Sequence, residues 1–239
     1  MITRDRIGEL ARAYQTTEAN VRREYLQHVF LSSFYQQPST DRVYFKGGTA
    51  IRMIYRSPRF SEDLDFSTTL GDPTRIEEAM RETVRAVGRE GGEAQLAVAS
   101  QTSGGYVARV AFRLFEQEIA VLLHVSLREG GKRGEVTTIA GDFIPSFIVL
   151  QLSQDQLIDE KLQALLARRK ARDFYDLYFI LRSNLLPARK RGIVSRVRTA
   201  LKETDVNFES ELKQFLPRSH WAVVRDFRET LEREIKRFM

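Results

Sequence analysis

Hydrophobic periodicity places this chain in the α+β class, with a small mixed or antiparallel sheet flanked by helices and then a helical lobe. Three observations lead there. The stretches "AQLAVASQ", "YVARVAFRLF" and "QEIAVLLHVSLRE" alternate apolar and polar residues and are separated by glycine-bearing turns, as antiparallel strands are. From Ser153 onward apolar residues recur at helical spacing and continue to do so. The change of period falls near 145–152, so the expected domains are 1–150 and 151–239.

Residues 3–35 read as helical, with Thr17 as an N-cap and Glu18 in the first turn. Pro38 and "STD" end that region, and "RVYF" is a short strand. "GTAIRMIYRS" is a helix opened by glycines and closed before Pro58. "EDLDFST" alternates and reads as the next strand. "DPTRIEEAMRETVRAVGREGG" is a helix that starts with Asp72 and Pro73 and stops at Gly91-Gly92. The three alternating strands follow, and Pro145 lies in a connection. The helical lobe comprises "SQDQLIDEKLQALLARRK", "RDFYDLYFILRS", "RGIVSRVRTALKE", "FESELKQFL" and "WAVVRDFRETLEREIKRF".

Composition removes several chemistries. The 239 residues include no cysteine, which excludes disulfides, thiolate metal sites and cysteine nucleophiles. Three scattered histidines (His28, His124, His220) argue against a zinc centre. The charged start and the lack of an apolar run of about 18 residues predict a cytoplasmic protein with no membrane partner. The net charge of +6 is uneven. Residues 1–150 hold 19 basic and 19 acidic side chains, whereas residues 151–239 hold 19 and 13. A basic lobe beside a neutral one suggests a polyanionic partner; a solvated helical surface is the ordinary alternative.

One segment carries chemistry. Strand, Gly47-Gly48-Thr49, then helix is a way to bind phosphate, because glycines admit close approach and helix-start N–H groups face the anion. The same pattern also serves as a plain turn and cap. Asp63 and Asp65 follow, and on a strand they project to one face while Leu64 points to the core. Two adjacent carboxylates repel unless a cation lies between them, and hard oxygen donors suit Mg²⁺ or Mn²⁺. Without the glycines, a solvated edge strand is the simpler reading.

The combination of GG-T, a short helix, "SEDLDF" and the later "IDEKLQALLARRKARDFYDLYFIL" resembles the polymerase-β-like nucleotidyltransferases. Within them it is most similar to the AbiEii and MenT toxins of abortive-infection and toxin–antitoxin systems. The resemblance spans about residues 44–181 and implies a polymerase-β-like core. It implies that Gly47, Gly48 and Thr49 contact the triphosphate, that Asp63 and Asp65 bind metal, and that Lys161 neutralises nucleotide phosphates. Asp173 and Asp176 fall on its last motif, whose leading aspartate it implies to be essential. It further implies an NTP substrate, an RNA acceptor at the tRNA 3′ end, and a cognate antitoxin encoded nearby.

Read from the residues alone, Lys161 stands in an apolar row where a lysine has little packing reason, or it snorkels from a helix edge. Asp173 and Asp176 share a helical face, and Arg169 and Arg172 are candidate partners. Phe174, Tyr175 and Tyr178 are candidates for stacking a base, with core packing the commoner use of that spacing. Such enzymes often carry a third carboxylate on a following strand; here that position offers His124, flanked by Glu118 and Glu129. Transfer to a protein hydroxyl or a small molecule, and RNA binding without catalysis, remain open alternatives.

Overall fold

The computed structural model describes residues 1–102, 104–127 and 131–239. The chain forms two compact units, one of Met1–Arg56 with Phe60–Ser153 and one of Ser57–Arg59 with Gln154–Met239.

The first unit is built on a seven-stranded mixed sheet among the described residues. Its strands are β1 (Val43–Lys46), β2 (Leu64–Thr68), β3 (Glu93–Thr102), β4 (Gly105–Leu114), β5 (Gln117–Ser126), β6 (Gly134–Ile139) and β7 (Phe147–Leu152). They lie in the order β3-β4-β5-β2-β1-β7-β6. β1 pairs antiparallel with β2 and parallel with β7, and β2 pairs parallel with β5. β3, β4 and β5 form an antiparallel meander, as their alternation predicts. The sheet is larger than expected. β6 and β7 escape the sequence reading because β7, "FIVLQL", is an almost continuous apolar run without alternation, although Val149 is buried and Ile148 exposed.

The helices of this unit are α1 (Arg4–Ala13), α2 (Glu18–Phe34), α3 (Gly47–Tyr55) and α4 (Pro73–Arg89). Thr3, Thr17 and Asp72 cap α1, α2 and α4 by accepting from the N–H groups of Arg6, Asn20 and Thr74. α2 is buried on several sides, so its sequence shows little amphipathic contrast. Phe34 of α2 packs against Phe66, with ring centroids 5.3 Å apart, and Phe66 lies 5.7 Å from its cross-strand partner Phe45. Strand alternation therefore commits Phe45 and Phe66 to the helix-covered side and their neighbours Lys46 and Asp65 to the other.

The second unit holds α5 (Gln154–Arg168), α6 (Ala171–Arg182), α7 (Val194–Glu203), α8 (Phe208–Leu212), α9 (Trp221–Arg225) and α10 (Phe227–Lys236). Its aromatic core joins Phe174, Tyr175, Phe208 and Phe227, all buried. Tyr175 stacks on Phe227 at 5.8 Å, and Phe174 meets Phe208 edge-on at 5.6 Å. Phe174 and Tyr175 therefore serve packing, not base stacking. Among the described residues no helix is long and apolar enough to cross a membrane.

Candidate active site

In the sheet unit the glycine turn and one aspartate come together. Gly47 opens α3 directly after β1 and adopts φ +84°, a left-handed conformation that side chains other than glycine tolerate poorly. A Cβ at this position would lie 2.2 Å from Oδ2 of Asp65. The missing side chain is thus the space that the Asp65 carboxylate occupies. The strand register explains this, since Asp65 pairs with Lys46, the residue just before the turn.

Asp65 also pairs with His124 on the parallel neighbour β5. Lys46, Asp65 and His124 form one row across three strands, on the side away from Phe45 and Phe66. They line a cleft of about 530 Å³ together with Thr102, Gly105 and Ser126. Among the described residues no side-chain hydrogen bond or ion pair takes up the Asp65 carboxylate or the His124 ring. Glu118 sits at the start of β5 and pairs with Arg109 at 3.4 Å. Glu129 lies outside the described residues.

Asp63 departs from the expected strand. β2 begins at Leu64, so Asp63 stands one residue ahead of it. Its position is fixed instead through the backbone, because the buried Thr49 hydroxyl donates to the Asp63 carbonyl. Thr49 thereby ties the first turn of α3 to the acidic segment. Gly48 is buried within that turn.

The donor set fits a hard divalent cation in one respect and is sparse in another. Two carboxylates flank buried Leu64, and the Asp65 oxygen rests in the Gly47 cradle. Among the described residues no cluster of three or more His, Asp or Glu is arranged to hold a metal. Mg²⁺ suits such a pair, since it completes its shell with water and substrate phosphates.

The other candidates belong to the helical unit. Asp176 on α6 is 1% exposed and is the hub of an ion triad. Arg59 donates Nε to Oδ1 at 2.8 Å and Nη2 to Oδ2 at 3.0 Å, and Lys161 of α5 donates Nζ to Oδ2 at 2.7 Å. Burial alone would raise the Asp176 carboxyl, but the charges of Arg59 and Lys161 outweigh it and hold the group at about 2. Asp173, equally buried, is clamped by Arg168 through bonds of 2.7 and 2.8 Å. The partners differ from those that helix spacing suggests. Arg169 pairs instead with Glu203, and Arg172 Nε is buried without a hydrogen-bond partner among the described residues.

Arg59 is the residue that sequence reasoning missed. It sits in the irregular "SPRF" between α3 and β2, where periodicity carries no information. The one available signal is indirect, since a carboxylate in the apolar surroundings of α6 requires a cation from somewhere. Several cations of this unit are engaged internally. Arg189 pairs with Asp155, Lys190 with Asp159 and Arg198 with Glu232, while Arg228 donates to the carbonyls of Leu201 and Thr204.

A family model described as nucleotidyl transferase AbiEii toxin, Type IV TA system, matches residues 29–239. The chain belongs to the AbiEii family. As an AbiEii member it is a nucleotidyltransferase, and membership implies an NTP substrate and an antitoxin. No curated protein matches the chain. Its fold is similar to that of JHP933 from Helicobacter pylori, at TM-score 0.62 and 21% identity over 93% of this chain and 94% of the other. A second H. pylori protein, provisionally named a nucleotidyltransferase, aligns at TM-score 0.58 and 19% identity over 93% and 97%. Both likenesses bear out the expected α+β fold.

Proposed function

We propose that this AbiEii-family enzyme transfers a nucleoside monophosphate from an NTP to an RNA acceptor, the 3′ end of tRNA, and so blocks translation in the cytoplasm until an antitoxin restrains it. The observation that carries the reading is the Asp65 carboxylate seated against Gly47. It supports a metal ligand and a phosphate-binding turn acting at one place in the sheet unit.

The backbone N–H groups at Gly47 and Gly48 bind triphosphate oxygens, and Thr49 holds the acidic segment in place. Asp63 and Asp65 hold Mg²⁺ or Mn²⁺. When bound, the ion neutralises phosphate charge and favours ionisation of the acceptor hydroxyl. Lys161 binds the phosphate tail, for which its ammonium retains donors beyond the one given to Asp176. The acceptor oxygen attacks the α-phosphorus, the bond to the bridging oxygen breaks, pyrophosphate departs, and the hydroxyl proton leaves to solvent. Asp173 and Asp176 act through the cations they fix, consistent with their burial.

Incubation with Mg²⁺, each labelled NTP and total tRNA tests the proposal. Label at RNA size that disappears in Asp65→Ala and with EDTA supports it. Label on polypeptide moves the acceptor to a protein hydroxyl, and RNA binding without any transfer overturns the proposal.

A further inference from the structure

We propose that Arg59 is a positioning residue for Lys161, acting through Asp176; this rests on the reading of Lys161 as the phosphate-binding cation. A lysine ammonium ends a flexible four-carbon stem and holds an anion well only where something fixes it. Among the described residues Asp176 Oδ2 is the hydrogen-bond acceptor for Lys161 Nζ. A carboxylate rotates readily about its last bond, so it fixes a lysine only if its own plane is held. Arg59 holds that plane, since its planar fork reaches both oxygens of Asp176 at 2.8 and 3.0 Å.

The placement of Arg59 supports a dedicated role. Ser57–Arg59 is a short segment counted with the helical unit, while its chain neighbours Arg56 and Phe60 belong to the sheet unit. Connecting segments normally run exposed, yet Ser57 is 1% and Arg59 4% exposed. The Ser57 hydroxyl oxygen accepts from the Arg59 N–H at 3.4 Å. If Arg59 served only to neutralise a buried carboxylate, a lysine would do as well. A positioning role requires the fork.

Full-length protein and inorganic pyrophosphate, titrated by calorimetry, separate these cases. Arg59→Lys keeps the charge and loses the two-point grip, so pyrophosphate Kd rises about tenfold. The KM for NTP rises similarly, while kcat stays within about twofold. Lys161→Met weakens pyrophosphate binding more than Arg59→Lys does, and Arg59→Lys added to Lys161→Met weakens the remaining binding no further. Asp176→Asn gives a second route should Arg59→Lys fail to fold. It weakens pyrophosphate binding although it makes the protein more positive, the opposite of a simple charge effect. The proposal is overturned if folded Arg59→Lys binds pyrophosphate within about twofold of wild type, if the two substitutions add independently, or if wild type binds no pyrophosphate. A wild type that binds pyrophosphate yet labels no RNA refutes the transfer reading alone, and the variant series still decides the role of Arg59.

Discussion

Gly47→Ala is the sharpest perturbation, because it adds one carbon where the structure leaves no room. The new Cβ would stand 2.2 Å from Asp65 Oδ2, 2.7 Å from its Cβ and 2.8 Å from its Cγ, whereas real Cβ atoms essentially never come nearer than 3.0 Å. The Asp65 side chain must retreat by an appreciable fraction of an ångström, and a misplacement of about 1 Å at a reacting centre costs about 10²-fold in rate. The φ of +84° adds about 1–2 kcal/mol of backbone strain. Gly91→Ala isolates the second effect. Its φ is +81°, and nothing lies within 4 Å of its Cβ position. Transfer from labelled NTP, with urea unfolding of both variants, is the assay. Both lose comparable backbone stability, and only Gly47→Ala loses about 10²-fold in transfer. A folded Gly47→Ala enzyme that retains wild-type transfer would show that the Asp65–Gly47 contact has no part in catalysis.

Three further outcomes follow from the same geometry. Asp65→Asn keeps the side-chain shape but removes the charge, so transfer falls by about 10²-fold or more and added Mg²⁺ or Mn²⁺ does not restore it; metal titration of activity checks this. Folding lowers the Asp176 carboxyl from 3.8 to about 2, so its stabilisation is full above about pH 4 and is lost as the pH falls toward 2. Urea midpoints across that range fall in wild type, and the part due to this carboxyl is absent in Asp176→Asn, which is already less stable by about 3–5 kcal/mol. His28 is buried against Phe143 and Phe147, and burial first, then the Arg52 charge, pushes it down to about 4. The unfolded chain therefore takes up this proton first, and stability falls as the pH drops from about 6.5 to 4. His28→Gln flattens that slope in denaturant titrations, and an unchanged slope would remove His28 as its source.

The sequence makes legible whatever is determined by neighbours along the chain. Thr17 and Asp72 announce helix starts because a cap bonds two or three residues ahead. The Gly47 turn is legible because its glycines interrupt a strand–helix junction, and β3 to β5 because each has one face less covered than the other. What depends on distant partners stays hidden. β7 joins the sheet beside β1, roughly a hundred residues earlier, and its apolar run carries no period to announce it. Asp63 reads as a strand residue by alternation, but its place is set by Thr49. The row of Lys46, Asp65 and His124 depends on the parallel pairing of β2 with β5, which no local pattern encodes.

The Arg59–Asp176 contact joins residues 117 positions apart. On a ribosome adding about 5–20 residues per second, the guanidinium waits roughly 6–23 s for its carboxylate to be synthesised. Prematurely terminated chains that end before α6 lack that carboxylate altogether. A nascent or truncated copy of this toxin is in that sense unarmed, and splitting the gene at the period change near Ser153 leaves each fragment with one half of a buried ion pair.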